Sequence, residues 1–153
     1  NVRGFNHLLG ECGVTFFATA DLARQLKGRF PQNLDGAPLL YPGEDSAVRP
    51  RLMRWLDDQR VHPRVAGEFD DGALMKAFGE AGAGVFVAPA AITQQMKDRF
   101  KVIPIGSNDA ITEQFYAISV ERKLAHPAVL AISSGARLNV FADSRVPQRR
   151  KPA

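Results

Sequence analysis

Residues 39–89 read LLYPGEDSAVRPRLMRWLDDQRVHPRVAGEFDDGALMKAFGEAGAGVFVAP. The apolar run of residues 38–41 predicts a buried strand, and Pro42-Gly43 ends it. Over residues 46–59, Val48, Leu52, Trp55 and Leu56 recur at helical spacing, so this segment is a helix with one inward stripe. Its first turn follows Glu44, Asp45 and Ser46, of which Asp45 or Ser46 is expected to cap it. Residues 65–69 extend again, and a second helix over 71–81 is expected to bury Leu74, Ala77 and Phe78. Gly79, Gly82 and Gly84 then allow a left-handed cap and a tight return into Val85, Phe86, Val87 and Ala88, which are continuously apolar. Strand, helix and strand thus occur twice in succession, the signature of parallel crossovers in an α/β lobe. Two helices begin at one edge of such a sheet, where unpaired N–H groups and helix dipoles favour a small ligand.

The remainder is read around this unit. Residues 4–18 predict two strands about a turn at Gly10, Glu11, Cys12 and Gly13. Thr19 is expected to cap a helix over 20–30, with Leu22, Leu26 and Phe30 on one face, before Phe30-Pro31 stops it. Pro89-Ala90-Ala91 opens a helix to Arg99 with Ile92 and Met96 inward. Residues 101–105 and 114–120 read as strands joined by a polar turn at 106–110, and Pro127 starts a last helix carrying Val129, Leu130, Ile132 and Ala136.

The chain has 153 residues, 45% of them apolar and 24% charged, the composition of a globular domain. No apolar run approaches the ~20 residues of a membrane helix, and the first residues lack the basic start and apolar run of a signal peptide. The net charge of +4 comes from Arg145, Arg149, Arg150 and Lys151, so the rest of the chain is balanced and carries no basic stripe for nucleic acid. Residues 143–153 are expected to be a disordered basic tail. Cys12 is the only cysteine, which excludes an intrachain disulfide and a thiolate metal cluster and fits a reducing compartment. His7, His62 and His126 are scattered in sequence; His62 reads as surface and Trp55 as core. No G-x-S-x-G, no phosphate-binding Gly-Lys-Ser/Thr and no G-x-G-x-x-G after a strand is present, so no enzyme is expected, and no cofactor.

The run LLYPGEDSAVRPRLMRWL, followed by VAGEFDDGALMKAFGEAGAGVFVAP, resembles the effector-binding domain of LysR-type transcriptional regulators. In that family a glycine, apolar, glycine, apolar-run and proline pattern closes the second helix; Gly82, Gly84, Val85 to Ala88 and Pro89 match it. The resemblance covers residues 5–141. Within the family, HLLGECGVTFFAT with GEDSAVR is most similar to activators of sodium/proton antiporter genes, which implies a response to Na⁺ or pH.

The resemblance implies a Rossmann-like lobe of a periplasmic-binding-protein-like (type 2) effector domain with part of a second lobe. Residues 1–13 would be a remnant of lobe one, 14–117 lobe two, and 118–142 the returning strand and helix of lobe one. It further implies an effector or cation in the inter-lobe cleft, a homodimer through regulatory domains, and a cytoplasmic location. DNA contact would run only through an N-terminal domain expected upstream of Asn1. Effector contacts would come from Pro42, Gly43, Glu44, Asp45, Ser46, Phe69, Asp70 and Asp71. Five carboxylates stand at that edge once Glu68 is counted. They repel anions and suit either helix capping or a hard cation, so Glu44, Asp45, Asp70 and Asp71 are the candidates for sensing Na⁺. A solute-binding lobe of a periplasmic-type binding protein is the alternative.

Overall fold

The computed structural model describes residues 4–120, 122–123 and 126–141, with the side chains of residues 137 and 138 left aside. The chain forms two compact units, one Gly13–Glu113, the other the described parts of Asn1–Cys12 and Gln114–Ala153. The expected tail, 143–153, lies outside the described residues.

The elements in order are β1 (Phe5–Ala18), α1 (Ala20–Gln25), a 3-10 turn (Gln32–Leu34), β2 (Pro38–Pro42), α2 (Val48–Asp58), β3 (Arg64–Phe69), α3 (Gly72–Glu80), β4 (Phe86–Pro89), a 3-10 turn (Ala90–Ile92), α4 (Thr93–Arg99), β5 (Ile103–Ser119) and α5 (Pro127–Asn139). β2 and β3 are parallel, with Pro38 opposite Arg64 and Pro42 opposite Phe69, and a bulge between Leu39 and Leu40. β4 joins β2 in parallel through Leu39 and Val85, whose flanking bonds are Leu40 N to Val85 O and Val85 N to Pro38 O, both 2.8 Å. β1 lies antiparallel on the other side of β4, pairing Phe17 with Phe86, and β5 follows β1. Both βαβ crossovers read from the sequence are therefore present.

Within the unit Gly13–Glu113, strand alternation distributes two cores. Val14, Phe16, Leu39, Tyr41, Val85 and Val87 bury one face together with Leu52 and Leu56 of α2. Phe17, Leu40, Phe86 and Ala88 bury the opposite face with Met75 of α3 and Met96 of α4. Helices on both faces of this mixed sheet, parallel at β2–β3 and antiparallel at β1–β4, make a three-layer lobe. Phe16, Phe17 and Phe86 are each 0% exposed. Each contributes about 1.5–3 kcal/mol over an exposed position.

Several expectations are corrected. The glycines at 10 and 13 do not make a turn: β1 runs unbroken through them. They are needed for close approach, since a Cβ at Gly10 would strike the Phe141 ring and one at Gly13 the Asn108 carbonyl and Asp109. Residues 106–110 are likewise part of one strand, β5, rather than a turn. Asn108 Oδ1 accepts from Ala110 N at 2.6 Å and Ile111 N at 3.0 Å, so the polar residues serve the strand locally. α1 stops at Gln25, where Leu26 turns extended at ψ 109° and Gly28 follows at φ 96°. Leu26 and Phe30 still pack on the core from non-helical backbone. In α3 the inward residues are Met75 and Gly79, whereas Leu74 is 51% and Phe78 47% exposed and Ala77 is also exposed. The cause is Phe86, whose buried ring occupies the space a Cβ at Gly79 would need, so the helix turns its glycine to the sheet. α2 follows its predicted stripe, with Val48, Leu52 and Leu56 buried and Trp55 packed beside them.

Candidate functional site

The parallel pairing of β2 with β3 brings Pro42 beside Phe69, and the two chains leave the sheet together. Gly43 N donates to Phe69 O at 2.7 Å, which ties the two turns at their origin. Beyond that bond the Asp70 carboxylate lies against the Gly43 Cα, where any side chain would collide with it. Ser46 N donates to Gly43 O at 3.0 Å, closing the turn that carries Glu44 and Asp45. The result is a cavity of about 300 Å³ lined by Gly43, Glu44, Asp45, Glu68 and Asp70. That is the low end of small-ligand cavities, ~300–1,000 Å³.

Of the residues expected at this edge, the fold thus brings Gly43, Glu44, Asp45 and Asp70 to one cavity. The others are placed differently. Asp71 caps α3, its Oδ1 accepting from Ala73 N at 2.7 Å and Leu74 N at 3.3 Å. Ser46 Oγ accepts from Val48 N at 3.3 Å at the start of α2. Asp45 does not cap that helix: the N-cap position is Ala47, with no side-chain bond. Pro42 is buried, and Phe69 packs on the core and against the Phe78 ring at 5.1 Å. Among the described residues, no hydrogen bond or ion pair occupies the carboxylates of Glu44, Asp45 and Asp70.

A residue absent from the sequence reading orders this edge. Arg49 Nη1 donates to Pro42 O at 2.8 Å and Nη2 to Glu68 Oε1 at 3.1 Å, while the guanidinium lies 5.8 Å from the Tyr41 ring centre. The arginine side chain is only 16% exposed. Its hydrogen bond holds the Glu68 carboxyl below the ordinary carboxylate range and, with the same partner, raises Arg49 further. Burial pushes the Tyr41 hydroxyl up, against the pull of Arg49. A signal for Arg49 existed: a cation in the first turn of a helix opposes the dipole and needs a carboxylate or carbonyl partner. The cavity wall therefore holds four carboxylates, one of them, Glu68, paired with Arg49, an environment unfavourable to anions. Among the described residues, no three His, Cys, Asp or Glu side chains are arranged to hold a metal ion.

The remaining sequence candidates sit elsewhere. Trp55 joins Phe16 and Phe30 in an aromatic core cluster, with ring centres 5.4 and 5.8 Å away. His62 is exposed, its backbone N donating to Asp35 Oδ1 at 2.8 Å. Cys12 is buried in β1. Among the described residues, no helix is long and apolar enough to cross a membrane.

Comparison with known proteins follows the same outline. The family model of the LysR substrate binding domain matches residues 6–134. The transcriptional activator protein NhaR of Escherichia coli K12 is 38% identical over 128 residues, as is NhaR of Shigella flexneri. The match covers 84% of this chain and 42% of each relative, so the chain spans about two fifths of their length. Among solved structures, the effector domain of the transcriptional regulator AmpR of Pseudomonas aeruginosa superposes with a TM-score of 0.65 at 20% identity, covering 93% of this chain and 68% of that one. The effector-binding domain of QuiR in complex with shikimate gives 0.62 at 12% identity, with the same coverages. These likenesses fix the fold as that of periplasmic-binding-protein-like effector domains.

Proposed function

This chain belongs to the LysR substrate-binding-domain family, and from that premise we propose that it is the effector-sensing part of a transcriptional activator of sodium/proton antiporter genes. On this reading residues 14–117 are lobe two, and residues 1–13 with 118–142 are the returning parts of lobe one. The effector binds in the cleft between the lobes, and closure reorients DNA-binding domains that lie outside this stretch. The protein acts in the cytoplasm as a sensor and not as an enzyme. The observation that carries the reading is the cavity formed where β2 and β3 end, with Glu44, Asp45, Glu68 and Asp70 in its wall.

Oxygen-rich, anion-repelling walls suit a hard cation, and Na⁺ is the effector the antiporter-gene resemblance implies. Calorimetric titration of the full chain with NaCl, against choline chloride at equal ionic strength, is the direct test. The expected result is a saturable heat that is lost in Asp45→Asn/Asp70→Asn. A titration without saturable heat overturns the Na⁺ reading.

The partner in solution is a second copy of the chain. Val65 on β3 is 57% exposed, and Leu74 and Phe78 on α3 are 51% and 47% exposed, large apolar side chains that a partner copy would cover. Phe78→Glu is expected to shift the sedimenting species from dimer to monomer. A wild-type monomer at micromolar concentration would remove this part of the proposal.

A further inference from the structure

Helix α2 touches two places that matter in different ways. From its first turn, Arg49 reaches the edge cavity, bonding Pro42 O at 2.8 Å and Glu68 Oε1 at 3.1 Å. From the next residues, the Arg51 guanidinium donates to the carbonyl of Thr112 on β5 and approaches Thr112 Oγ1 at 3.5 Å. Thr112 and Glu113 are the last residues of the unit before β5 continues at Gln114. Positions 49 and 51 are about 200° apart around a helix, so one rigid rod presents the two arginines to opposite sides. The helix is anchored just beyond them by Leu52 and Leu56, which are 0% and 3% exposed. Both arginines stand in the first turn of α2, on opposite sides of it, so a displacement of that turn at the edge is passed to the strand exit.

We propose that α2 is a lever in which Arg49 reads the edge cavity and Arg51 is a positioning residue that holds β5 where it leaves the unit. The charge environment at the exit supports this. Glu113 feels Arg51 of α2 and Lys76 of α3, so loosening Arg51 removes one of the two cations that favour its ionised form in a partly buried setting. The proposal rests on the ligand role of the edge for its physiological meaning only. Its test uses no ligand, so either reading fails independently of the other.

The test is hydrogen exchange of the full chain resolved to single amides. The edge reporter is Gly43 N, bonded to Phe69 O, and the exit reporter is Ile111 N, bonded to Asn108 Oδ1. Val85 N, bonded to Pro38 O in the sheet, is the internal reference. Because coupling is reciprocal, Arg51→Met should speed exchange at Gly43, and Arg49→Met at Ile111, by roughly threefold to tenfold relative to Val85, the loss expected from one hydrogen bond. Arg51→Lys should restore most of the protection, and Arg54→Met on the same helix should change neither reporter. The proposal is overturned if each variant speeds exchange only at the reporter beside its own hydrogen bonds. It is equally overturned if all three amides accelerate alike, which is general destabilisation.

Discussion

The Asp70 carboxylate rests on Gly43, its Oδ1 occupying the position a β-carbon of residue 43 would take. The sequence pair Gly43 and Asp70, 27 positions apart, is thereby a single steric unit at the mouth of the edge cavity. Gly43→Ala must swing Asp70 aside, because the backbone under residue 43 is held by the 2.7 Å bond to Phe69 O. The variant should lose about 1 kcal/mol in urea unfolding, the low end of overpacking costs, since the main obstacle is a side chain and the Asp70 Cα, 3.1 Å away, need give only slightly. In an Asp70→Ala background the same change should be near neutral, a coupling of about 1 kcal/mol in the double-mutant cycle. Additive losses would mean that the two residues do not share the space.

Asp71 and Asp45 look alike in sequence, two and three residues past a strand end, yet only Asp71 caps a helix. Asp71→Ala should therefore cost about 1 kcal/mol, within the range for lost N-caps. Asp45→Ala should stay within about 0.5 kcal/mol of wild type, as a surface change away from such features. Equal losses in thermal or urea melts would contradict this division of labour.

Gly79 sits inside α3, where alanine would ordinarily gain about 1 kcal/mol of helix propensity. Here the Cβ would enter the Phe86 ring, and Phe86 is fully buried with no room to retreat. Overpacking of about 1–3 kcal/mol should win. Gly79→Ala is expected to lower stability by about 1 kcal/mol net and to move the aromatic resonances of Phe86 and Phe17, whose ring centres are 5.7 Å apart. A stabilised variant would show that propensity dominates.

Burial raises the Glu113 carboxyl above its ordinary value, outweighing the lowering by Lys76 and Arg51. A carboxyl raised in the folded state holds its proton more tightly than in the unfolded chain, so its contribution is favourable at low pH and is lost as pH rises through the raised value. Glu113→Gln removes that loss. The variant should be more stable than wild type at pH 7, and the advantage should fade as pH falls below the ordinary carboxylate range. Urea midpoints at a series of pH values measure it, and a difference independent of pH would count against the burial account.

Much of the lobe was legible because local patterns and global packing agree in it. The spacing of Val48, Leu52 and Leu56 needed no partner to be read, and each is buried in α2. The acidic edge was visible as well, since Pro42-Gly43 and Phe69-Asp70 end two strands of one parallel pair. α3 shows why the rest was not. By pattern, Leu74 and Phe78 make a better inward stripe than Met75 and Gly79, and only the volume of Phe86 across the interface reverses the choice.

The sequence by itself determined the α/β class, the two parallel crossovers, the edge at which carboxylates gather and the family, because these follow from periodicity, turn chemistry and the order of motifs along the chain. Tertiary structure alone decided that the glycines of β1 are points of close contact, that Asp71 is occupied with a helix while Asp45 is free for the cavity, and that Arg49 and Arg51 tie α2 to β2, β3 and β5. Those outcomes depend on which atoms meet across long separations in sequence, and steric exclusion and hydrogen-bond pairing at such distances leave no local pattern to read.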